Sequence, residues 1–490
     1  MSNKTADVIV VGAGLSGLQT AVRIQAAGFS CLVLEANDRV GGKTLSIKSS
    51  SKPAGANDIG AAWVNDTNQS EIWKLFEKYN LGAEIQRTFG TSFRQAPDGS
   101  TVAHPYDDES SGQGGYIDEE LLRVYMAVHE AVEASDLEHP EASPQAQKLD
   151  SITLAEFCQE VGPNIGAVAA SAVTAALLGV EADEVSALFI INYIKSGRGL
   201  KVITSDKKDG GQYIRARRGM QTISKGLAGE LAQDSLHLNT VVRSVHQKDD
   251  QSYEVETTAG TAFTAKHIII SVPTSLYGSI EFTPPLPEKK RKLGESTTLG
   301  YYSKVVLVFD KPWWHATDLS GVMTSYKGPI SFTRDTSAPE DDQWSISCFV
   351  VGEMGRVWNK LSEAERREAI LEQFNSVFST AVTVPQPIAI HEQRWSEQPY
   401  FLGAPSPIMA PGVLTSLGSY VLREPVGNIH FVGTETSIVW KGYMDGAIRS
   451  GQRGADEVIA RLRDICKHID SWGFPLMFHP GFLARPASEK

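Results

Sequence analysis

The sequence predicts an α/β fold coupled to an α+β one, and three observations carry that prediction. A short β-branched run, Asp7-Val-Ile-Val-Val11, leads through a glycine turn into a helical stretch ending near Gly28, as in a Rossmann-type unit. A second apolar run, Cys31-Leu-Val-Leu34, follows one crossover later and ends on an acid, Glu35. Further along, Glu119 to Ala134 and Leu361 to Phe378 carry helical apolar spacing with charged faces, while Lys304 to Phe309 and Trp344 to Val351 read as strands. A sheet flanked by helices is expected there.

Length and composition bound the rest. The 490 residues are 41% hydrophobic and 8% aromatic, enough to bury a large core in two or more domains. The 46 basic and 58 acidic residues leave a formal charge of -12, which works against binding nucleic acid or an anionic membrane and mildly favours cationic small molecules. The four cysteines, Cys31, Cys158, Cys348 and Cys466, are scattered, with no CxxC and no metal-ligand spacing. They read as reduced thiols of a cytoplasmic protein that holds no metal. The chain runs from Met1 almost directly into Asp7, leaving no room for a secretion signal, and no uncharged apolar run approaches the roughly 18 to 20 residues that span a bilayer. The tail is broken by Gly and Pro, and Ser488-Glu-Lys490 is not a peroxisomal address. A soluble protein without membrane partners is therefore expected. Ala96 to Gly115, rich in Gly, Ser, Asp and Pro, reads as a surface loop, and no internal repeat is found.

The glycines of Gly12-Ala-Gly14-Leu-Ser-Gly17 have separate physical tasks. Gly12 permits the tight turn, Gly14 lets a pyrophosphate approach the main chain, and Gly17 lets the helix lie close to the strand, with the helix N-terminus facing the phosphates. Glu35 stands where a carboxylate accepts hydrogen bonds from ribose hydroxyls and disfavours a 2′-phosphate. Glycine turns also occur for structural reasons alone, but strand, turn, helix, strand and acid in register point to a dinucleotide. Downstream, Asp38-Arg39-Val-Gly41-Gly42-Lys43-Thr44 offers a second glycine pair, which admits more of a long cofactor and favours FAD over NAD.

The run from Glu35 to Thr44 resembles the extended FAD signature of the flavin-containing, monoamine oxidase-like amine oxidases, in which arginine is usual where Lys43 stands. Lysine keeps the charge and loses the bidentate fork. Similar stretches recur in order: Asp58-Ile-Gly60-Ala61-Ala62-Trp63-Val, Glu184 to Leu188, Gly210-Gly-Gln212 with Arg218-Gly-Met220, and Leu299-Gly300-Tyr-Tyr-Ser-Lys304. The most specific block closes the chain, Gly433-Thr434-Glu435-Thr436 through Trp440-Lys-Gly442-Tyr443-Met444-Asp-Gly446-Ala447, followed by the helical-looking Ile448 to Arg461.

The resemblance implies a Rossmann-type FAD domain assembled from residues 1–85, 205–285 and 390–465, a substrate domain of sheet plus helices from 86–204 and 286–389, and a tail at 466–490. Leu238 to Val242 and His267 to Ile270 would return the chain to the cofactor domain, with Val242 beside the adenine. Ala36, Arg39, Gly42, Lys43, Gly60, Ala61, Ala62, Trp63, Gly433, Thr434, Glu435 and Met444 join the cofactor set, Met444 through its main chain near the flavin pyrimidine edge. The implied reaction is a two-electron oxidation of the carbon bearing nitrogen, giving an imine that water hydrolyses to aldehyde or ketone, with O2 reduced to H2O2. Lys304 matches the lysine that reaches flavin N5 through a water and assists reoxidation; Trp395 matches a tryptophan beside the flavin ring. Tyr443 matches one wall of an aromatic pair that flanks the amine. Gln212 resembles a cavity amide, and Leu177 and Leu178 align with apolar cavity residues.

Two departures stand out in Tyr400-Phe-Leu-Gly-Ala404-Pro405. Ala404 occupies the position of the cysteine that bonds the flavin, so non-covalent FAD is expected. Pro405 occupies the position of the second aromatic wall, so the pair is expected either to be incomplete or to borrow another ring, with Trp440 and Phe401 as the candidates. A polyamine, amino-acid or alkaloid oxidase of the same fold, a carbon–carbon desaturase, and a protein holding FAD as a structural cofactor stay open as alternatives. A homo-oligomer also stays open, since nothing in the sequence identifies an interface.

Overall fold

A computed structural model describes residues 4–50, 55–106 and 119–471. The opening strand Lys4–Val11 runs parallel to Cys31–Leu34 on one side and to Ala262–Ile270 on the other, with Val8, Ile9 and Val10 fully buried. Burial on both faces is why this segment is a continuous apolar run and not an alternating one. The whole sheet has eight strands, in the order Leu236–His237, Cys31–Leu34, Lys4–Val11, Ala262–Ile270, Tyr253–Thr257, Val242–Gln247 and Glu281–Thr283, with Ile429–Phe431 pairing in parallel beside Ile268 to Ile270. Its strands thus come from the beginning, middle and end of the chain.

The helix Leu15–Ala26 follows the glycine turn, and the C-terminal helix Met444–Ser471 packs across it. Their approach is close at Gly451, where a Cβ would stand 2.4 Å from Ser16 O. That last helix begins earlier than Ile448 and runs past the expected start of the tail at 466. Residues 472–490 lie outside the described residues.

A second sheet of seven strands follows the order Ala389–Arg394, Tyr302–Phe309, Trp344–Val351, Phe332–Asp335, Leu319–Ser325, Thr91–Gln95 and Thr101–Pro105. Alternation along Tyr302–Phe309 divides its side chains between two surroundings. Val305, Leu307 and Phe309 enter a core with Phe374 and Phe378 of the helix Glu363–Phe378, while Val306 and Val308 pack against Ile59, Leu45 and Ile47. Lys304 shares the second face, which turns it toward the first sheet's half of the molecule. The strand Ala389–Arg394, which straddles residue 390, is hydrogen-bonded into this second sheet.

The expected loop at 96–115 is corrected in part. Thr101–Pro105 is a strand paired with Thr91–Gln95 across a turn at Gly99, and residues 107–118 lie outside the described residues. Polar residues and a terminal proline suit a strand at a sheet edge as well as they suit a loop. A layer of helices, Glu119–Ala134, Leu154–Val161, Gly166–Leu178 and Ala187–Ser196, shares one apolar core with a face of the first sheet, where Ile9, Val11, Leu34 and Ile270 belong to the same cluster. Leu154–Val161 starts at Thr153, whose hydroxyl and the Glu156 carboxylate form a reciprocal cap.

Candidate active site

A cavity of about 500 Å³ runs between the two sheets, and most of the residues singled out in the sequence line it. At one end the wall is main chain. Gly12 has φ +103° and a Cβ there would meet Ser271 O at 3.2 Å; at Gly17 it would meet Gly12 O at 2.1 Å; at Gly14 it would meet nothing within 4 Å. Gly14 is therefore the glycine whose missing side chain leaves room in the cavity, while Gly17 sits behind the wall and lets helix and strand touch. No side chain caps the helix Leu15–Ala26, so its first amides remain available to an anion. Glu35 is buried, with Oε2 accepting from Ala13 N at 2.6 Å and Oε1 from the main-chain and side-chain nitrogens of Asn37 at 2.9 Å. Its carboxylate steadies the glycine turn and keeps lone pairs toward the cavity. Ala36, Gly42 and Val242 line this end too.

Arg39 is corrected: it does not line the cavity. Its guanidinium turns back on its own loop, donating to Gly42 O at 2.9 Å and Thr44 O at 3.3 Å, and holds the second glycine turn in shape. Lys43 does line the cavity, and its Nζ donates to Pro405 O at 3.0 Å, tying this turn to the distant Ala404–Pro405 segment. Burial lowers its pKa to about 8, with the nearby Glu435 acting against that shift. Gly60, Ala61, Ala62 and Trp63 line the middle, and a Cβ on Gly60 would stand 2.2 Å from Lys43 O. Gly433, Thr434, Glu435 and Met444 close the same region. Glu435 accepts from Thr274 N at 3.1 Å, and burial raises its pKa. Met444 opens the C-terminal helix, where main-chain N–H groups lack intrahelical acceptors.

At the other end the wall is side chains. Lys304 is 3% exposed, and its Nζ donates to Asp58 O at 3.0 Å and Gly60 O at 2.6 Å. The ammonium also lies 5.2 Å from the ring centres of both Trp63 and Phe349. Burial pushes its pKa down, opposed by Asp58. Trp395 is buried edge-on against Phe401, centroids 5.1 Å apart, and its indole N–H reaches Ile59 O at 3.4 Å. Tyr443 finds polar partners for its hydroxyl in Ile203 O at 3.4 Å and Gln212 Nε2 at 3.5 Å. Gln212 Nε2 also donates to Ile203 O at 3.1 Å, while its Oε1 is buried without a partner among the described residues.

Two substrate-side expectations are corrected. Leu177 lines the cavity but Leu178 is fully buried in the helical core, because neighbours on a helix point about 100° apart. Trp440 is fully buried behind Tyr443, 4.9 Å from it edge-on, with its indole N–H on Asn68 O at 2.9 Å. It braces Tyr443 from behind and forms no part of the cavity wall. Ala404, Pro405 and Phe401 do line it. The sequence reading missed Tyr193, Tyr302 and Phe349, which line this end as well. Tyr302 was accessible from period-two spacing with Lys304, whereas Phe349 stands opposite Lys304 only through strand register.

The profile of the family described as flavin containing amine oxidoreductase matches residues 15–459. The chain belongs to that family. Mouse flavin-containing amine oxidase B is 30% identical over 477 residues, covering 95% of this chain and 88% of its own. Among solved structures, cyclohexylamine oxidase from Brevibacterium oxydans is 28% identical with a TM-score of 0.85, covering 94% of this chain and 99% of its own. Wild-type putrescine oxidase bound to putrescine is 26% identical, also at a TM-score of 0.85, covering 94% and 100%. The protein is a flavin-dependent amine oxidase and its cofactor is FAD. The residues present fit that group: open space over Gly14, uncapped helix amides and a buried acid at one end, and an aromatic chamber with a buried ammonium at the other. Among the described residues no helix of this oxidase is long and apolar enough to cross a membrane.

Proposed function

We propose that the oxidase takes a monoamine with an apolar substituent into the chamber bounded by Tyr443, Gln212, Leu177, Tyr193 and Phe349, and converts it to an imine. The bound FAD supplies the two-electron acceptor and returns the electrons to O2, yielding H2O2. Tyr443 and the neighbouring rings strip water from the amine, which favours its neutral, electron-rich form. Gln212 Oε1, buried and without a partner among the described residues, accepts an N–H of the amine and orients it. Lys304 Nζ holds a positive charge where oxygen gains negative charge and can donate a proton there. Its buried ammonium in the same chamber as Tyr443 is the observation that carries the proposal. No Asp or Glu side chain among the described residues lines the amine end to take a second ammonium, which favours monoamines over diamines.

Non-covalent FAD is part of this reading, supported by Ala404 on the cavity wall and by buried positions for the described cysteines, Cys31, Cys158 and Cys348. Acid precipitation should leave the yellow colour in the supernatant; colour in the pellet would refute it. The cofactor role is assigned to 1–85, 205–285 and 390–465, apart from the strand Ala389–Arg394 that belongs to the second sheet, the substrate role to 86–204 and 286–389, and the scattered free thiols favour a cytoplasmic setting. The deciding experiment mixes the oxidised protein anaerobically with a panel of amines, follows flavin absorbance, and then admits air. Bleaching by apolar monoamines, with colour and peroxide returning in air, is expected. No bleaching by any amine would overturn the reading in favour of carbon–carbon desaturation or a structural FAD.

A further inference from the structure

Three consecutive carbonyls of one turn face the second sheet. Lys304 Nζ takes those of Asp58 and Gly60, at 3.0 and 2.6 Å, and Trp395 Nε1 takes that of Ile59 at 3.4 Å. The place of the ammonium is therefore set by the place of the turn. On its far side the turn is held by the Asp58 carboxylate. Oδ1 accepts from Ser46 Oγ at 2.5 Å and from Met220 N at 2.9 Å, and Oδ2 from Met220 N at 3.1 Å. Ser46 Oγ accepts in turn from Gln221 N at 3.0 Å, the first residue of the helix Gln221–Gly229. Asp58 thus joins that helix start to the seat of Lys304.

The charges around the pair are few. From behind the turn the Asp58 charge favours the protonated form of Lys304, while Arg215 disfavours it; burial raises the Asp58 pKa to about 6, so its carboxylate is charged where Lys304 titrates. Arg215 faces Asp335 and Glu84 as well, and is held by Gln86 Oε1 at 3.3 Å and Ser337 O at 2.6 Å. The flanking strands bring Phe349 and Gln393 opposite Lys304, neither of them charged.

We propose that Asp58 is a positioning residue for Lys304: its carboxylate, bonded to Ser46 and Met220, fixes the carbonyl turn on which the ammonium rests during oxygen reduction. The inference rests on the reading of Lys304 given above. A lysine with a lowered pKa carries its proton only below that value, so reoxidation should be fast at low pH and fail as pH rises. Removing the Asp58 charge should move that failure to lower pH.

The test uses FAD-loaded protein with isotope-labelled lysine, the Lys304 signal being identified by its loss in Lys304→Met. Asp58→Asn keeps an acceptor for Met220 N–H and deletes the charge; Ser46→Ala, a milder change, removes one donor to Asp58. The Lys304 titration midpoint, read by NMR, should fall by about one pH unit in Asp58→Asn and by less in Ser46→Ala. The pH at which amine-reduced enzyme stops reoxidising should fall in step. An unchanged midpoint in variants that keep FAD and melting temperature overturns the proposal, as does a shifted midpoint with an unmoved reoxidation profile. Undiminished reoxidation in Lys304→Met overturns the reading of Lys304 and the positioning role with it, a failure told apart from that of Asp58 by the NMR midpoint.

Discussion

Where the cavity is bounded by Gly12, Gly14 and Glu35, its wall is main chain supplied by one short stretch of sequence; where it is bounded by Lys304, Trp395 and Tyr443, its wall is side chains delivered from the second sheet, the helical layer and the turn before the last helix. The first end depends on what is missing, since glycines leave amides and space for phosphates. The second depends on rings and one ammonium held in a dry chamber, where a charge acts more strongly than in water. The two ends should therefore fail differently, one through cofactor affinity and the other through rate.

Lys304→Met sharpens that contrast most. It deletes the charge while keeping an apolar stem in the pocket of Trp63 and Phe349. Rapid-mixing measurement should find flavin reoxidation slowed by about 10²-fold, the order seen when one fixed electrostatic contact to a developing anion is removed. FAD content should stay at one per chain. Loss of FAD along with the rate would show that Lys304 serves the cofactor end too, and the division would break.

Gly17→Ala is the next largest. The new Cβ would lie 2.1 Å from Gly12 O, a main-chain atom that cannot rotate aside, so the cost should reach the upper part of the about 1–3 kcal/mol typical of overpacking. Thermal unfolding of the apoprotein should show a clear fall in melting temperature. Gly14→Ala separates binding from folding. Its Cβ meets nothing within 4 Å, so the apoprotein should melt as the wild type does, while the methyl group occupies the space left for the pyrophosphate. Titration with FAD should find affinity lowered by about tenfold, equivalent to about 1.4 kcal/mol. Equal melting losses in both variants would mean that the glycines act only in packing.

This asymmetry also governs what could be read in advance. The glycine turn was legible because each requirement is met at fixed local spacing, and the strand Trp344–Val351 and helix Glu119–Ala134 emerged with the expected bounds because their patterns are local as well. Lys304 and Tyr443 were legible through resemblance in rare surroundings. Phe349 was not, because only the register of two distant strands sets it beside Lys304. Trp440 and Tyr443, close neighbours in one block, could not be ranked by sequence, since the turn between them decides which ring meets the cavity and which supports it. Arg39 was misjudged because a guanidinium satisfies loop carbonyls as readily as phosphates.

Gln212 tests the amine end at its finest scale. Its Oε1 is buried without a partner among the described residues, a condition that costs about 1–3 kcal/mol and is relieved when an N–H donor arrives. Its Nε2 is shared between Ile203 O and the Tyr443 hydroxyl, so the amide also touches that ring. Gln212→Leu distinguishes the two contacts. If the amide serves the substrate, the apoprotein should lose little stability, because removing an unsatisfied oxygen offsets the lost Nε2 bond to Ile203 O, while KM for the amine rises about fivefold. If the amide serves Tyr443, melting temperature should fall and KM and kcat should worsen together, because the ring that Ile203 O then holds alone would no longer face the amine squarely.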